Sequence, residues 1–275
     1  MKLSEIIGVI EKWVPKKHAE DFDNVGLLVG DSDSEINKGL ITLDTTLEVV
    51  DEAISKDCNL IITFHPLIFN PIKKINSDDR INKIIIRAIR NNINIYCLHT
   101  NLDNNPRGVN YNILQILGIE KVDFIIPKIN EDGSRIGMGM FGELKNGMNF
   151  EEFKILIKRN MKIDHFKFTK PCKKLIKKVG VLGGSGSFAI EPAIDLGLDC
   201  LITADLKYHD YFKADNKIIL IDIGHYESEK YTKDLIFKHL NEKLYVNLKP
   251  QMVTRIDMIR VLVLNSAEKQ TYQAT

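Results

Sequence analysis

The chain has 275 residues, 44% hydrophobic and 27% charged, enough apolar mass for one large core or two modest ones. Its 38 basic and 37 acidic side chains leave a formal net charge of +1, which argues against nucleic acid as a partner unless a concentrated basic patch exists. No apolar run is long enough to cross a bilayer, so no membrane partner is expected.

In chain order, residues 1–15 read as an amphipathic first helix (3–13) and not a secretory signal, because Glu5, Glu11 and Lys12 interrupt the apolar run. Strands are expected at 39–44, 59–64 and 93–98, with helices at 46–56, 79–91 and 110–117. A glycine-punctuated, strand-like stretch follows at 135–144. Beyond it come helices at 150–160, 191–196 and 229–240 and strands at 178–182, 199–203 and 217–223. The strands are rich in Ile and Leu without polar alternation, as for strands covered on both faces, and the alternation of β and α predicts an α/β fold. A boundary near 126–132 predicts a first α/β half at 1–126 and a second at 127–275. The cysteines Cys58, Cys97, Cys172 and Cys200 are far apart and form no Cys-x-x-Cys pair, which points to a reducing, cytoplasmic setting.

An internal repeat links the halves. Residues 51–63 align with 191–203 at an offset of 140, placing Ala53 and Ile54 on Ala193 and Ile194. Residues 98–103 align with 224–229 at an offset of 126, placing His99 and Asp103 on His225 and Glu229. Both second members read His-x-x-x-carboxylate after an apolar strand. Two matches in one order indicate a duplicated unit, with similar halves about a pseudo-two-fold axis.

The polar groups just past strand ends, Asp44, His65, His99, the 183–187 loop, Asp205 and His225, are the candidates for chemistry, because ligands in open α/β sheets bind outside the carboxyl ends of strands. His225 and Glu229 share a helical face at i, i+4, and imidazole with carboxylate suits zinc, iron or manganese. A plain capped helix start, with Ser228 as cap, explains the same residues; the matching His99/Asp103 pair favours a metal. His65 ends a strand ahead of Pro66, where an imidazole can face a crevice or remain a hydrogen-bonded core group. The loop 183–187, with Gly184, Ser185 and Ser187, reads either as an anion-binding nest or as a tight turn. His209 is a candidate acid/base or substrate contact, with a surface histidine as the bland alternative. Cys97 and His99 share a strand face, so a Cys/His nucleophile is conceivable, but it leaves His65, His225 and Glu229 unexplained. His18, His165 and His239 lie among charged residues and read as solvent-facing.

Six stretches together resemble the GTP cyclohydrolase 1 type 2 homologues, also called NGG1-interacting-factor-three-like proteins. They are Phe22-Asp23-Asn24-Val25-Gly26-Leu27, Phe64-His65-Pro66-Leu67, His99-Thr100-Asn101-Leu102-Asp103, Gly183-Gly184-Ser185-Gly186-Ser187, the run from Thr203 to His209, and Gly224-His225-Tyr226-Glu227-Ser228-Glu229. The resemblance covers roughly residues 1–240. It implies two α/β domains, a toroidal homohexamer and a dinuclear divalent-metal site in the cleft between domains. By position, His65 and Asp103 would hold one ion, His225 the other, and Glu229 would bridge both. Some members carry an extra domain between the halves; here 135–144 leads directly to 150–160. Phe64 stands where the family has a further histidine, so a weaker second site completed by His99 is expected. Residues 251–275 do not match the family's final strand.

The leading functional expectation is a metal-dependent hydrolase of a nucleotide or similar phosphorylated compound, with His209 moving protons and the 183–187 loop holding phosphate. The alternative is a non-enzymatic, ring-shaped metal-binding protein serving a regulatory or metal-handling partner.

Overall fold

The structure is a computed structural model that describes residues 1–130, 132–246 and 262–263. Its helices are α1 (Leu3–Trp13), α2 (Leu47–Ser55), α3 (Arg80–Arg90), α4 (Thr100–Asp103), α5 (Val109–Leu117), α6 (Phe150–Met161), α7 (Ile190–Asp195), α8 (His225–Glu229) and α9 (Thr232–Val246). Its strands are β1 (Gly26–Val29), β2 (Gly39–Thr42), β3 (Leu60–Thr63), β4 (Asn94–Cys97), β5 (Glu120–Ile129), β6 (Arg135–Met148), β7 (Lys167–Phe168), β8 (Ile176–Ser185), β9 (Cys200–Ala204), β10 (Ile219–Asp222) and β11 (Leu262–Val263). The fold is α/β, and the chain forms two compact units: Met1–Leu102 together with the chain from Thr232 onward, and Asp103–Tyr231.

The first unit has a sheet in the order β1-β4-β3-β2-β11, parallel except for β1. Strands β2, β3 and β4 are buried along their whole length, which is why their sequences lack alternation. Helices α2 and α3 lay Val49, Val50 and Ala53, and Ile84, Ile85 and Ala88, onto a core containing Leu40, Ile61 and Ile95. Both helices start on side-chain caps: Thr46 Oγ1 accepts from Val49 N at 3.3 Å and Asp79 Oδ1 from Asn82 N at 2.9 Å.

The second unit has the order β5-β6-β8-β9-β10-β7, with β8, β9 and β10 parallel and the remaining neighbours antiparallel. The boundary expected at 126–132 falls inside this unit, because β5 and β6 form one hydrogen-bonded hairpin with Ile129 opposite Arg135. Two glycines of β6 serve that pairing: a Cβ at Gly137 would meet Ile126 O, and one at Gly142 would meet Glu120 O, each at 2.4 Å.

The repeat is visible in each unit by itself. The parallel trios β2-β3-β4 and β8-β9-β10 each carry a fully buried threonine on the middle strand. Thr63 Oγ1 donates to Leu43 O at 2.9 Å, and Thr203 Oγ1 donates to Gly184 O at 3.1 Å.

Four differences from the sequence reading matter. The single helix expected at 229–240 is two, α8 and α9. His18 is buried, and His239 is half-buried with its ring stacked on Trp13 at 3.9 Å, so neither faces solvent as expected; His165 does. Strands β1 and β5 were not expected: β1 is an apolar run of only four residues, Gly26–Val29, and β5 mixes half-buried and exposed positions. The divergent segment expected at 251–275 lies outside the described residues apart from β11. Among the described residues, no helix is long and apolar enough to cross a membrane.

Candidate functional site

In the first unit, His65 follows β3 and His99 follows β4, adjacent parallel strands, and their rings meet edge-on with centroids 5.6 Å apart. Each imidazole is held through Nδ1 by an aspartate: His65 by Asp44 Oδ1 at 3.0 Å and His99 by Asp23 Oδ1 at 2.9 Å. Asp23 also accepts from Thr100 N at 3.0 Å and from Thr100 Oγ1, so it both orients His99 and anchors the start of α4. Burial would raise the Asp23 carboxyl, but the hydrogen bonds from His99 and Thr100 outweigh it and hold the group below the usual carboxylate range. Asn101 Oδ1 accepts from His99 N at 2.9 Å, fixing the backbone of the same motif. Phe64 is fully buried, with its ring against both histidines at 5.1 and 5.5 Å.

Cys97 does not support a nucleophile. Its thiol is fully buried, donates to Phe64 O at 3.3 Å and is pushed well above its ordinary pKa by burial, so the thiolate is suppressed.

In the second unit, His225 opens α8, and Glu229 stands one turn on, as the spacing predicts. His225 Nδ1 is 2.7 Å from Asp205 Oδ2, and Nε2 is 3.1 Å from Glu229 Oε2. Asp205 occupies the position matched to His65 at the first repeat offset, so the post-strand slot that holds a ligand candidate in one half holds its support in the other. The Asp205 carboxyl is raised by partial burial but lowered more by hydrogen bonds from Ser185 and His225, leaving it ionised at neutral pH. An ionised carboxylate only accepts, so Nδ1 carries a proton, and in the neutral ring Nε2 keeps its lone pair on the side of Glu229. A lone pair and a carboxylate oxygen at this distance repel unless a proton or a cation lies between them. The donor set thus fits a divalent ion, and the carboxylate–histidine pairing at His65, His99 and His225 is the support that metal-binding imidazoles require. Sequence reasoning placed Asp44 and Asp205 only as polar groups past strand ends, and Asp23 only as part of a motif; their common role is visible in the geometry alone.

Asp103, buried at the start of this unit, accepts from Asn110 Nδ2 at its carbonyl, 3.2 Å, and Asn110 Oδ1 takes Gly183 N at 2.9 Å. Gly184 N donates to Ser228 Oγ at 2.9 Å. The amides of Gly183 and Gly184 are therefore committed within the chain and do not point to an anion. Gly184 has another purpose: its φ is +69°, and a Cβ would meet Glu229 Oε1 at 2.5 Å and His225 Nε2 at 3.4 Å. The glycine lets the strand end approach the His225–Glu229 pair. Ser185 is exposed, and Ser187, half-buried, opens a short 3-10 turn. His209 sits exposed on the 3-10 segment Tyr208–Ala214, its ring against Tyr208 and Phe212.

Residues 1–258 match the Duf34/NIF3 family (NGG1p interacting factor 3). The chain belongs to this family. A Clostridium acetobutylicum protein named GTP cyclohydrolase 1 type 2 homolog is 38% identical over 248 residues, covering 89% of this chain and 91% of its own. A Staphylococcus epidermidis relative of the same name is 30% identical, covering 88% and 93%, over an alignment of 345 positions. That alignment is longer than this chain, so the relative carries sequence with no counterpart here, in keeping with β6 leading straight into α6. Among solved structures, a Bacillus cereus protein related to NIF3 superposes with a TM-score of 0.83 at 26% identity, covering 90% of this chain and 94% of that one.

Proposed function

We propose that this NIF3-family protein is a divalent-metal-dependent hydrolase acting on a nucleotide or related phosphorylated compound. The observation that carries the reading is His225 held between two carboxylates, Nδ1 at 2.7 Å from Asp205 and Nε2 at 3.1 Å from the buried Glu229. We assign His65 and Asp103 as ligand residues of one ion, His225 as a ligand residue of a second and weaker one that His99 would complete, and Glu229 to both, the ions being zinc, iron or manganese. Such an ion would polarise the scissile bond and acidify the attacking water. The chain's own part is to fix ring orientation through Asp23, Asp44 and Asp205. Ser185 and Ser187, beside Gly184, would meet substrate, and His209 would carry protons to and from solvent. The printed names of the relatives favour a guanine nucleotide as the first substrate to try. Free buried cysteines at 58, 97 and 200 fit a reducing cytoplasm, and family membership favours a homohexamer.

The experiment is elemental analysis of protein purified without chelator, followed by a phosphorylated-substrate screen with the metal found. Turnover that disappears with metal removal supports the reading. Metal without turnover on any substrate moves it to a ring-shaped metal-binding protein serving a partner, and absence of metal sinks both. Light scattering giving a mass near 31.4 kDa would exclude the hexamer.

A further inference from the structure

The near-zero net charge hides a strong local imbalance. Residues 158–178 hold nine lysines and arginines against a single acid, Asp164, leaving 29 basic and 36 acidic side chains elsewhere. Basic groups outside the tract are commonly paired, as in Lys56–Glu52 at 2.6 Å, Arg135–Asp123 at 2.8 Å and Lys213–Asp210 at 2.8 Å. Among the described residues, no lysine or arginine of the tract makes an ion pair, and all but Lys173 are exposed. Lys167 begins β7 opposite Asp222, at the carboxyl end of β10. The chain then runs down this sheet edge and returns under the amino ends of the parallel strands, where Lys177 N and Lys178 N both donate to Asp199 Oδ2 at 2.8 Å. Lys177 and Lys178 face Glu143 across the β6–β8 ladder, and the exposed charge without an ion pair runs from Lys158 to Lys174, strung out as a linear polyanion requires.

Aromatic side chains stand within the tract. A cleft of about 300 Å3 between α6 and β7 is lined by Lys154, Lys158, Phe166 and Phe168 together with the acids Glu151 and Asp164, and Glu151 pairs with Lys154 at 2.7 Å, which leaves Lys158 as its unpaired lysine. The Phe166 and Phe168 rings lie 5.9 Å apart, and Lys154 Nζ lies 5.4 Å over Phe168. Phe168 is 42% exposed and Ile155 65% exposed. Aromatic faces set among lysines accept stacked bases without sequence preference. An anionic membrane is the poorer match, because Phe150, Phe153, Ile157 and Met161 of α6 are buried in the core and leave no apolar helix face to insert.

We propose that residues 158–178 bind single-stranded nucleic acid, with phosphates on Lys158, Lys162 and Lys167 and a base against Phe166 and Phe168. The test uses the full chain with its native metal and a fluorescein-labelled single-stranded oligonucleotide of about 12 nucleotides, titrated by anisotropy across a salt series. Log affinity should fall linearly with log salt, with a slope of about −0.7 per phosphate contacted. Lys158→Glu, Lys162→Glu and Lys167→Glu combined should cost at least about tenfold and flatten the slope. Phe168→Ala should cost about fivefold or more at unchanged slope, and Phe168→Trp should retain affinity, which separates stacking from loss of packing on Phe150. Metal content and melting temperature should stay unchanged in the lysine variant. No binding at low salt, lysine and Phe168 variants that bind as the natural chain does, duplex bound as tightly as single strand, or phosphatidylserine vesicles bound in preference would each overturn the proposal.

Discussion

Asp205 Oδ2 lies 2.7 Å from His225 Nδ1, and the same imidazole places Nε2 3.1 Å from Glu229 Oε2. The carboxylate on one side holds a proton on Nδ1, so that the neutral ring would offer Nε2 to a metal on the other. Asp205→Asn keeps the size but removes the charge that holds the Nδ1 proton. Metal affinity at the His225 site should fall about 10- to 100-fold, with little change in melting temperature. Calorimetric titration of metal-free protein reads this directly; an unchanged affinity would show that Asp205 has no orienting role.

Gly184 supports the same pair by being small. Gly184→Ala combines a left-handed backbone, φ +69°, with a Cβ 2.5 Å from Glu229 Oε1. Gly118 has nearly the same φ, +72°, with nothing within 4 Å of its Cβ position. Both alanine variants should lose about 1 kcal/mol of stability from backbone strain. Only Gly184→Ala should also lose metal, and equal metal content in the two would disprove the close-approach argument.

His239 contributes pH dependence to the first unit. Burial against Trp13 disfavours its charged form, and Lys243 adds like-charge repulsion against a smaller opposing pull from Glu242, so its pKa lies below 6.5. A depressed folded-state pKa means that protons bind the unfolded chain more readily. This contribution to stability is complete above about pH 6.5 and is lost as pH falls through the lower folded value. Melting temperatures between about pH 7.5 and pH 5 should fall more steeply for the natural chain than for His239→Gln. Parallel curves would remove His239 from the account.

Much of this was legible in the sequence because it depends on local pattern. Uninterrupted Ile/Leu runs located β2, β3, β4, β9 and β10, and cap residues such as Thr46 and Asp79 bracketed α2 and α3 closely. The repeat located His99 and His225 at equivalent strand ends. Edge strand β5 escaped because a half-exposed strand loses the apolar run, and β1 because its apolar run is only four residues long. The aspartates holding the imidazoles escaped because Asp23 lies 76 residues from His99, and Asp44 and Asp205 lie 21 and 20 residues from their partners. The basic tract at 158–178 is plain in the sequence but vanishes in a whole-chain charge.

Phe64 decides how unequal the two proposed metal sites are. Its phenyl ring has no electron pair to give a metal, is fully buried, and packs on His65 and His99 at 5.1 and 5.5 Å. The residue therefore fixes the two imidazole rings by contact without serving as a ligand. One ion should bind tightly. The second should bind more weakly and depend on His99, which Asp23 holds by Nδ1 at 2.9 Å. His99→Ala should abolish the weaker site and leave the tighter one. Phe64→His should strengthen the weaker site, yet burying an imidazole in place of a phenyl ring costs about 1–3 kcal/mol where its polar atoms lack partners. The metal-free variant should therefore melt below the natural protein, and added metal should recover the difference, because an ion bound only to the folded state stabilises it by mass action. Titration calorimetry of metal-free protein, with melting curves at rising metal concentration, measures both effects. Two equally tight sites, unmoved by either substitution, would show that Phe64 and His99 have no part in metal binding.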